Sequence, residues 1–152
     1  MSEHEHSGTE ELVGTAIREQ ERPTRQFTFT GTGTGDVAFD HEKLVVFQVT
    51  RELVVLTNTF LPRKMPRDLH DQLDRSVSSI MYNIGEGAGK TARAEKRRFY
   101  EIARGSATEA ATQYDMLQIK DVITAAEYQR ARALLIRIVQ MLSKLCAAPR
   151  ST

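Results

Sequence analysis

Ser79-Ile-Met-Tyr-Asn-Ile-Gly-Glu-Gly-Ala-Gly-Lys-Thr91 decides the fold, because a long amphipathic pattern stops there at three closely spaced glycines and a second, basic one starts. Upstream, Leu69, Leu73, Val77, Ile80 and Ile84 recur at spacings of three and four, one apolar stripe on a helix predicted to end near Glu86. Downstream, Thr91 is placed to cap a new helix. Gly85, Gly87 and Gly89 are expected to supply the backbone freedom of a chain reversal.

The same stretch resembles a nucleotide phosphate loop, and spacing excludes it. That motif is G-x-x-x-x-G-K-[ST]. With Gly89-Lys90-Thr91 as its end, the first glycine falls where Ile84 stands. The motif also follows a β-strand, whereas this approach has helical period.

Working outward, a helix is predicted over residues 40–61, with Asp40 as its cap and Pro62 closing it. It has two apolar faces. At 100° per residue, Val45, Val49, Leu53, Leu56 and Phe60 form one stripe, and Leu44, Phe47, Val54, Val55 and Leu61 form another nearly opposite. A small monomeric bundle needs one buried stripe per helix, so one enters the core and one meets another chain. The Val45 to Phe60 stripe is taken as the oligomer interface, with the opposite stripe as the alternative. A second helix follows over residues 68–86, with Asp68, Asp71 and Asp74 in its first turns. The third runs over residues 92–120 on a small-volume core face of Phe99, Ile102, Ala103, Ser106, Ala110, Gln113 and Leu117. Gly105 within it reads as a site of close helix approach. The fourth opens with Thr124-Ala-Ala-Glu127, a capping box, and keeps three-four spacing through Tyr128, Ala131, Leu135, Ile138, Leu142 and Leu145. Four amphipathic helices with short links predict an all-α, antiparallel up-down-up-down four-helix bundle.

The 152 residues hold one such domain over residues 38–147. Before it, residues 1–37 read as a flexible tail, acidic and then Thr/Gly-rich; after it, residues 148–152 read as a disordered C-terminus. Residues 1–40 carry three arginines against eight acids, a net of −5, and the remainder carries 18 basic against 12 acidic residues, a net of +6. That balance permits an anionic partner. Cys146 is the single cysteine, so no internal disulfide forms. It reads as a small apolar residue at a helix end. With no apolar targeting segment or membrane-length run, a cytoplasmic protein is expected.

Chemistry is concentrated on the third helix. Arg93, Lys96, Arg97 and Arg104 project with Tyr100 within about 100° of arc, with Lys90 just before them. Cations at a helix N-terminus oppose its dipole, so helix stability does not select them. Clustered with an aromatic ring they suit phosphate contacts and base stacking. On the fourth helix Arg130, Arg137 and Lys144, spaced by sevens, form a second basic line. These nine residues are the candidate nucleic-acid surface. Asn83, Glu86 and Gly87 are expected to hold the corner without doing chemistry. No catalytic set emerges, so no enzyme is expected, and neither is a cofactor or metal. Glu3-His-Glu-His6 contains one Glu-x-x-His, whereas di-carboxylate metal sites need two plus further carboxylates. His41 and His70 lack any matching ligand spacing.

Four segments then carry a family resemblance: Phe39-Asp-His-Glu-Lys-Leu-Val-Val-Phe-Gln48, Leu73-Asp-Arg-Ser-Val-Ser-Ser-Ile80, Asn83-Ile-Gly-Glu-Gly87 and Arg98-Phe-Tyr-Glu-Ile-Ala-Arg-Gly-Ser106. In order and register, over residues 39–145, the chain resembles the four-helix-bundle proteins encoded within intervening sequences of bacterial large-subunit ribosomal RNA genes, to which the accessory protein of diversity-generating retroelements is related. Phe47 stands where that family usually has tryptophan, and Gly85 where it usually has alanine. The resemblance implies a ring-shaped homopentamer and, from the retroelement relative, binding to a reverse transcriptase and to nucleic acid through a basic surface. The expected function is therefore a non-enzymatic oligomeric protein that binds RNA or DNA or serves as an accessory to a nucleic-acid enzyme. The alternative is an oligomeric protein-protein scaffold without nucleic-acid binding.

Overall fold

The computed structural model describes residues 38–147, and the Glu3–His6 motif, the Thr/Gly repeat and the last five residues lie outside them. The described residues hold a 3-10 turn at Asp40–Lys43 and four helices, α1 Val45–Asn58, α2 Arg67–Gly89, α3 Arg93–Ile119 and α4 Ala125–Ala147, and no strand. In cross-section the order around the bundle is α1, α2, α3, α4, with α1 diagonal to α3 and α2 diagonal to α4. Residue pairing shows that α2 and α3 are antiparallel: Ser76 meets Gln113 and Ser79 meets Ser106, one partner's number falling as the other's rises.

The first predicted helix is broken near its start. Phe39, not Asp40, caps the 3-10 turn, and its N–H donates to the Glu42 carboxylate at 2.8 Å. Leu44 is extended, with ψ 122°, so the α-helix begins only at Val45. His41 stacks on Phe39 and tilts against Phe47, which fastens this entry segment by its rings.

The Val45 to Phe60 stripe of α1 does not face outward as an interface would. Val49, Leu53, Leu56 and Phe60 are buried in this chain's own core, and only Val45 of that stripe, at 62% exposure in the helix's first position, faces outward. Phe47 of the opposite stripe is buried too, together with Val46, Thr50 and Thr57. A bundle helix that borders two neighbours and faces a diagonal third buries a broad arc, which here takes residues from both stripes. Two threonines enter the core at little polar cost because each hydroxyl donates back to its own helix: Thr50 to the Val46 carbonyl and Thr57 to the Leu53 carbonyl, both at 2.7 Å. The Thr57 hydroxyl also meets the Tyr114 hydroxyl at 2.6 Å across the core, and burial pushes that phenol up to about 12.

The glycines do not stop α2. It runs helically through Gly85 and Gly87 to Gly89, and none of the three takes a positive φ. Gly87 has a different task. A Cβ there would sit 2.7 Å from Tyr100 Cε1 and 3.1 Å from Phe99 Cβ, so its hydrogen is what lets α3 approach. Gly105, by contrast, has nothing within 4 Å and is exposed, so close packing does not explain it.

The contact at Gly87 also sets the rotation of α3. With Tyr100 pressed on Gly87, the buried face becomes Tyr100, Ala103, Ala107, Ala110, Gln113, Tyr114 and Leu117. That face lies about 50° around the helix from the predicted one. Ile102 is left 42% exposed. Thr91 caps nothing; Ala92 occupies the N-cap position without a side-chain bond. On the flank toward α2 the contacts are polar, with Ser79 and Ser106 hydroxyls 2.8 Å apart and Gln113 Nε2 donating to Ser76 Oγ at 3.0 Å, while Gln113 Oε1 has no partner among the described residues.

At the far end of α3 the Val122 N–H donates to the Leu117 carbonyl at 2.9 Å and the Asp121 N–H to that of Gln118 at 3.0 Å. This is the Schellman closure, with Asp121 at φ 54° where glycine is usual. The capping box then opens α4: the Thr124 N–H donates to Glu127 at 2.8 Å and the Glu127 N–H to Thr124 Oγ1 at 3.2 Å. Cys146, not Leu145, completes the buried seam of α4, which fits its expected apolar role.

Candidate nucleic-acid interface

The N-terminal half of α3 passes the last turn of α4 and the extended Leu44 before α1. Between them lies a cleft of about 780 Å³ lined by Leu44, by Arg93, Lys96, Arg97, Arg98, Tyr100 and Glu101 of α3, and by Leu145 and Cys146 of α4. Among the described residues, four cations thus share the cleft with one carboxylate. Concavity matters because low-dielectric walls focus the field of like charges toward the opening.

The cations are not equivalent. Arg97 Nε donates to Glu101 at 2.8 Å, an i,i+4 pair that raises its pKa. Lys90 folds back on the corner, 2.6 Å from Glu86 and 5.3 Å from the Phe99 ring centroid, and its bond to Glu86 raises its pKa. These two acids interleave with the basic cluster. Lys96, Arg98 and Arg104 form no ion pair with any acid among the described residues.

Tyr100 is not on the exposed basic face. It is 4% exposed, its ring lies on Gly87, and burial raises its pKa. Stacking a base on the flat of that ring is therefore excluded. The Cys146 thiol is pushed up by burial, with Arg104 pulling the other way.

The basic line of α4 does not join this site. Arg130, Arg137 and Lys144 are exposed, but the α4 residues facing α3, including Tyr128, Arg132 and Val139, lie on the other flank of its buried stripe. The structure brings together Arg93, Lys96 and Arg97, with Arg104 on the same flank, and leaves the α4 cations on the α1 side. Arg98, Leu44 and Leu145 are additions that sequence reasoning missed. Arg98 was signalled by the run Lys96-Arg97-Arg98; the other two become neighbours only through the tertiary fold.

At the corner, Asn83 Nδ2 donates to the Ser79 carbonyl at 2.8 Å and to its hydroxyl at 3.1 Å. With Glu86 on Lys90 and Gly87 under Tyr100, all three corner residues make contacts that hold helices. His70 Nδ1 lies 3.0 Å from Asp71 Oδ1, and His41 lies between two rings. Among the described residues no cluster of metal-ligating groups occurs, and no helix is long and apolar enough to cross a membrane.

A family model described as 23S rRNA-intervening sequence protein matches residues 42–144. Among solved structures, the chain is similar to a protein of unknown function from the S23 ribosomal protein family of Bacteroides thetaiotaomicron VPI-5482. The two are 23% identical with a TM-score of 0.64, over 68% of this chain and 100% of that one, a likeness of fold. No curated protein matches.

Proposed function

The chain belongs to the 23S rRNA-intervening sequence protein family, and from that premise we propose that it is a non-enzymatic protein that binds RNA or DNA phosphates through the cleft beside α3. The observation that carries this reading is the set of Arg93, Lys96, Arg97 and Arg98 around a concave site with Glu101 as its one acid among the described residues. Lys96 and Arg98 form no ion pair with an acid among the described residues, so both remain available to a phosphate. The corner's polar groups, engaged with their own helices, support a binding rather than a catalytic role.

Assembly as a homopentamer belongs to the same proposal. Five copies around an axis would repeat the cleft and turn a modest charge per chain into a large field. With the α1 core stripe unavailable, the apolar groups left to form such an interface include Val55, Tyr82, Ile102 and Ile119, each at least 42% exposed. Those side chains also favour the second reading, a scaffold that binds protein, a reverse transcriptase among its candidate partners. Fluorescence anisotropy with a labelled RNA in low salt, on protein of measured mass, tests both. Tight binding that weakens steeply with salt supports the nucleic-acid reading. No binding by an assembled oligomer leaves the scaffold, and a monomer at micromolar concentration removes the assembly.

A further inference from the structure

Phosphate attraction alone would need only an exposed basic stripe, whereas this site has an interior. A volume of about 780 Å³ falls within the range of small-ligand pockets. Its lining sets the carbon of Leu44, Ala94 and Leu145 beside the charged side chains of α3. A second observation concerns Tyr100. Its ring is 96% buried, it lines the cleft, and its hydroxyl has no hydrogen-bond partner among the described residues. Buried tyrosines ordinarily satisfy that group. Its oxygen is not fully enclosed.

We propose that the cleft takes an unpaired nucleotide of a single-stranded nucleic acid, its base against Leu44 and Leu145, its phosphates on the α3 cations that line the cleft, and the Tyr100 hydroxyl hydrogen-bonded to the base. This rests on the reading above and adds that the site distinguishes single strands from duplexes. A paired base is held in its stack and cannot enter, and a duplex offers the cleft only its backbone. Tyr100 is then a reader of the nucleotide, its ring fixed by Gly87 and its hydroxyl free for ligand.

Anisotropy titrations compare four probes at one salt concentration: a single-stranded RNA, the same strand annealed to its complement, an equally charged abasic strand, and the free mononucleotide. The intact single strand binds about tenfold more tightly than the abasic strand or the duplex. The mononucleotide competes at high concentration. Tyr100→Phe keeps the ring on Gly87 and lowers affinity for the intact strand about fivefold, as one lost hydrogen bond implies, without changing the abasic strand. Leu145→Ser also narrows the gap between intact and abasic strands. Equal affinity for intact, abasic and duplex probes overturns this inference and leaves phosphate binding standing, as does a Tyr100→Phe protein with undiminished preference. Absence of binding to every probe in low salt overturns both.

Discussion

At one end of the bundle Arg63 is fully committed to protein. Its guanidinium grips Glu127 with two bonds of 2.7 and 2.9 Å, donates to the Val122 carbonyl at 3.1 Å and lies 4.9 Å from the Phe60 ring centroid, tying the α1–α2 link to the α3–α4 link. At the other end Lys96 and Arg98 line an open cleft with no acid gripping them among the described residues. The two ends use one residue class for opposite purposes. Where a bidentate carboxylate and a backbone carbonyl converge, a cation is a fastener; where several cations line a cleft, we propose that they meet a ligand.

The sharpest way to break the comparison is at the open end. Gly87→Ala forces Tyr100 to move, since the new Cβ would lie 2.7 Å from its ring, and overpacking of this kind costs about 1–3 kcal/mol. Its unfolding midpoint in urea should fall, and any preference for single strands should fall with it.

The fastened end breaks by acid. The bond to Arg63, then that from the Thr124 N–H, holds the Glu127 carboxyl down to about 2 from an ordinary 4.5. A depressed carboxyl contributes stability that is complete above pH 4.5 and is lost as pH falls toward 2. Glu127→Gln should lower the melting temperature at neutral pH and flatten the acid limb across that window, leaving RNA affinity unchanged. A parallel loss of RNA affinity would mean that the ends are coupled.

The smallest effects come from positions between the ends. Gly105→Ala, exposed with open space around it, should gain up to about 1 kcal/mol in chemical denaturation. Asp121→Gly should gain a few tenths of a kcal/mol by relieving the left-handed cap, about what a residue disfavoured in that region gives up.

How much of this was legible follows from which forces are local. The helices and the capping box of α4 were readable, because periodicity and Thr124-to-Glu127 chemistry act within a few residues. The intersubunit stripe was misread for a physical reason: periodicity finds apolar lines but cannot tell a core facing three neighbours from two interfaces. Tyr100 was misplaced because one hydrogen at Gly87, thirteen positions away, sets the rotation of α3. Phe99 and Ile102 are as apolar as the residues that displaced them. The cleft was half legible: its cations lie in one sequence run, but Leu44 and Leu145 arrive from opposite ends of the domain.

We propose that ligand phosphates bind at the cleft and not along α4, and paired salt titrations separate the two surfaces. Affinity for a single-stranded RNA is measured across a salt series for the unaltered protein, for Lys96→Ala/Arg98→Ala/Arg104→Ala, and for Arg130→Ala/Arg137→Ala/Lys144→Ala. Each lost phosphate contact flattens the slope of log affinity against log salt by about 0.7, so the first triple variant should flatten it by about 2 while the second leaves it unchanged. Equal slopes for the two variants, or a larger change from the α4 set, would contradict the account.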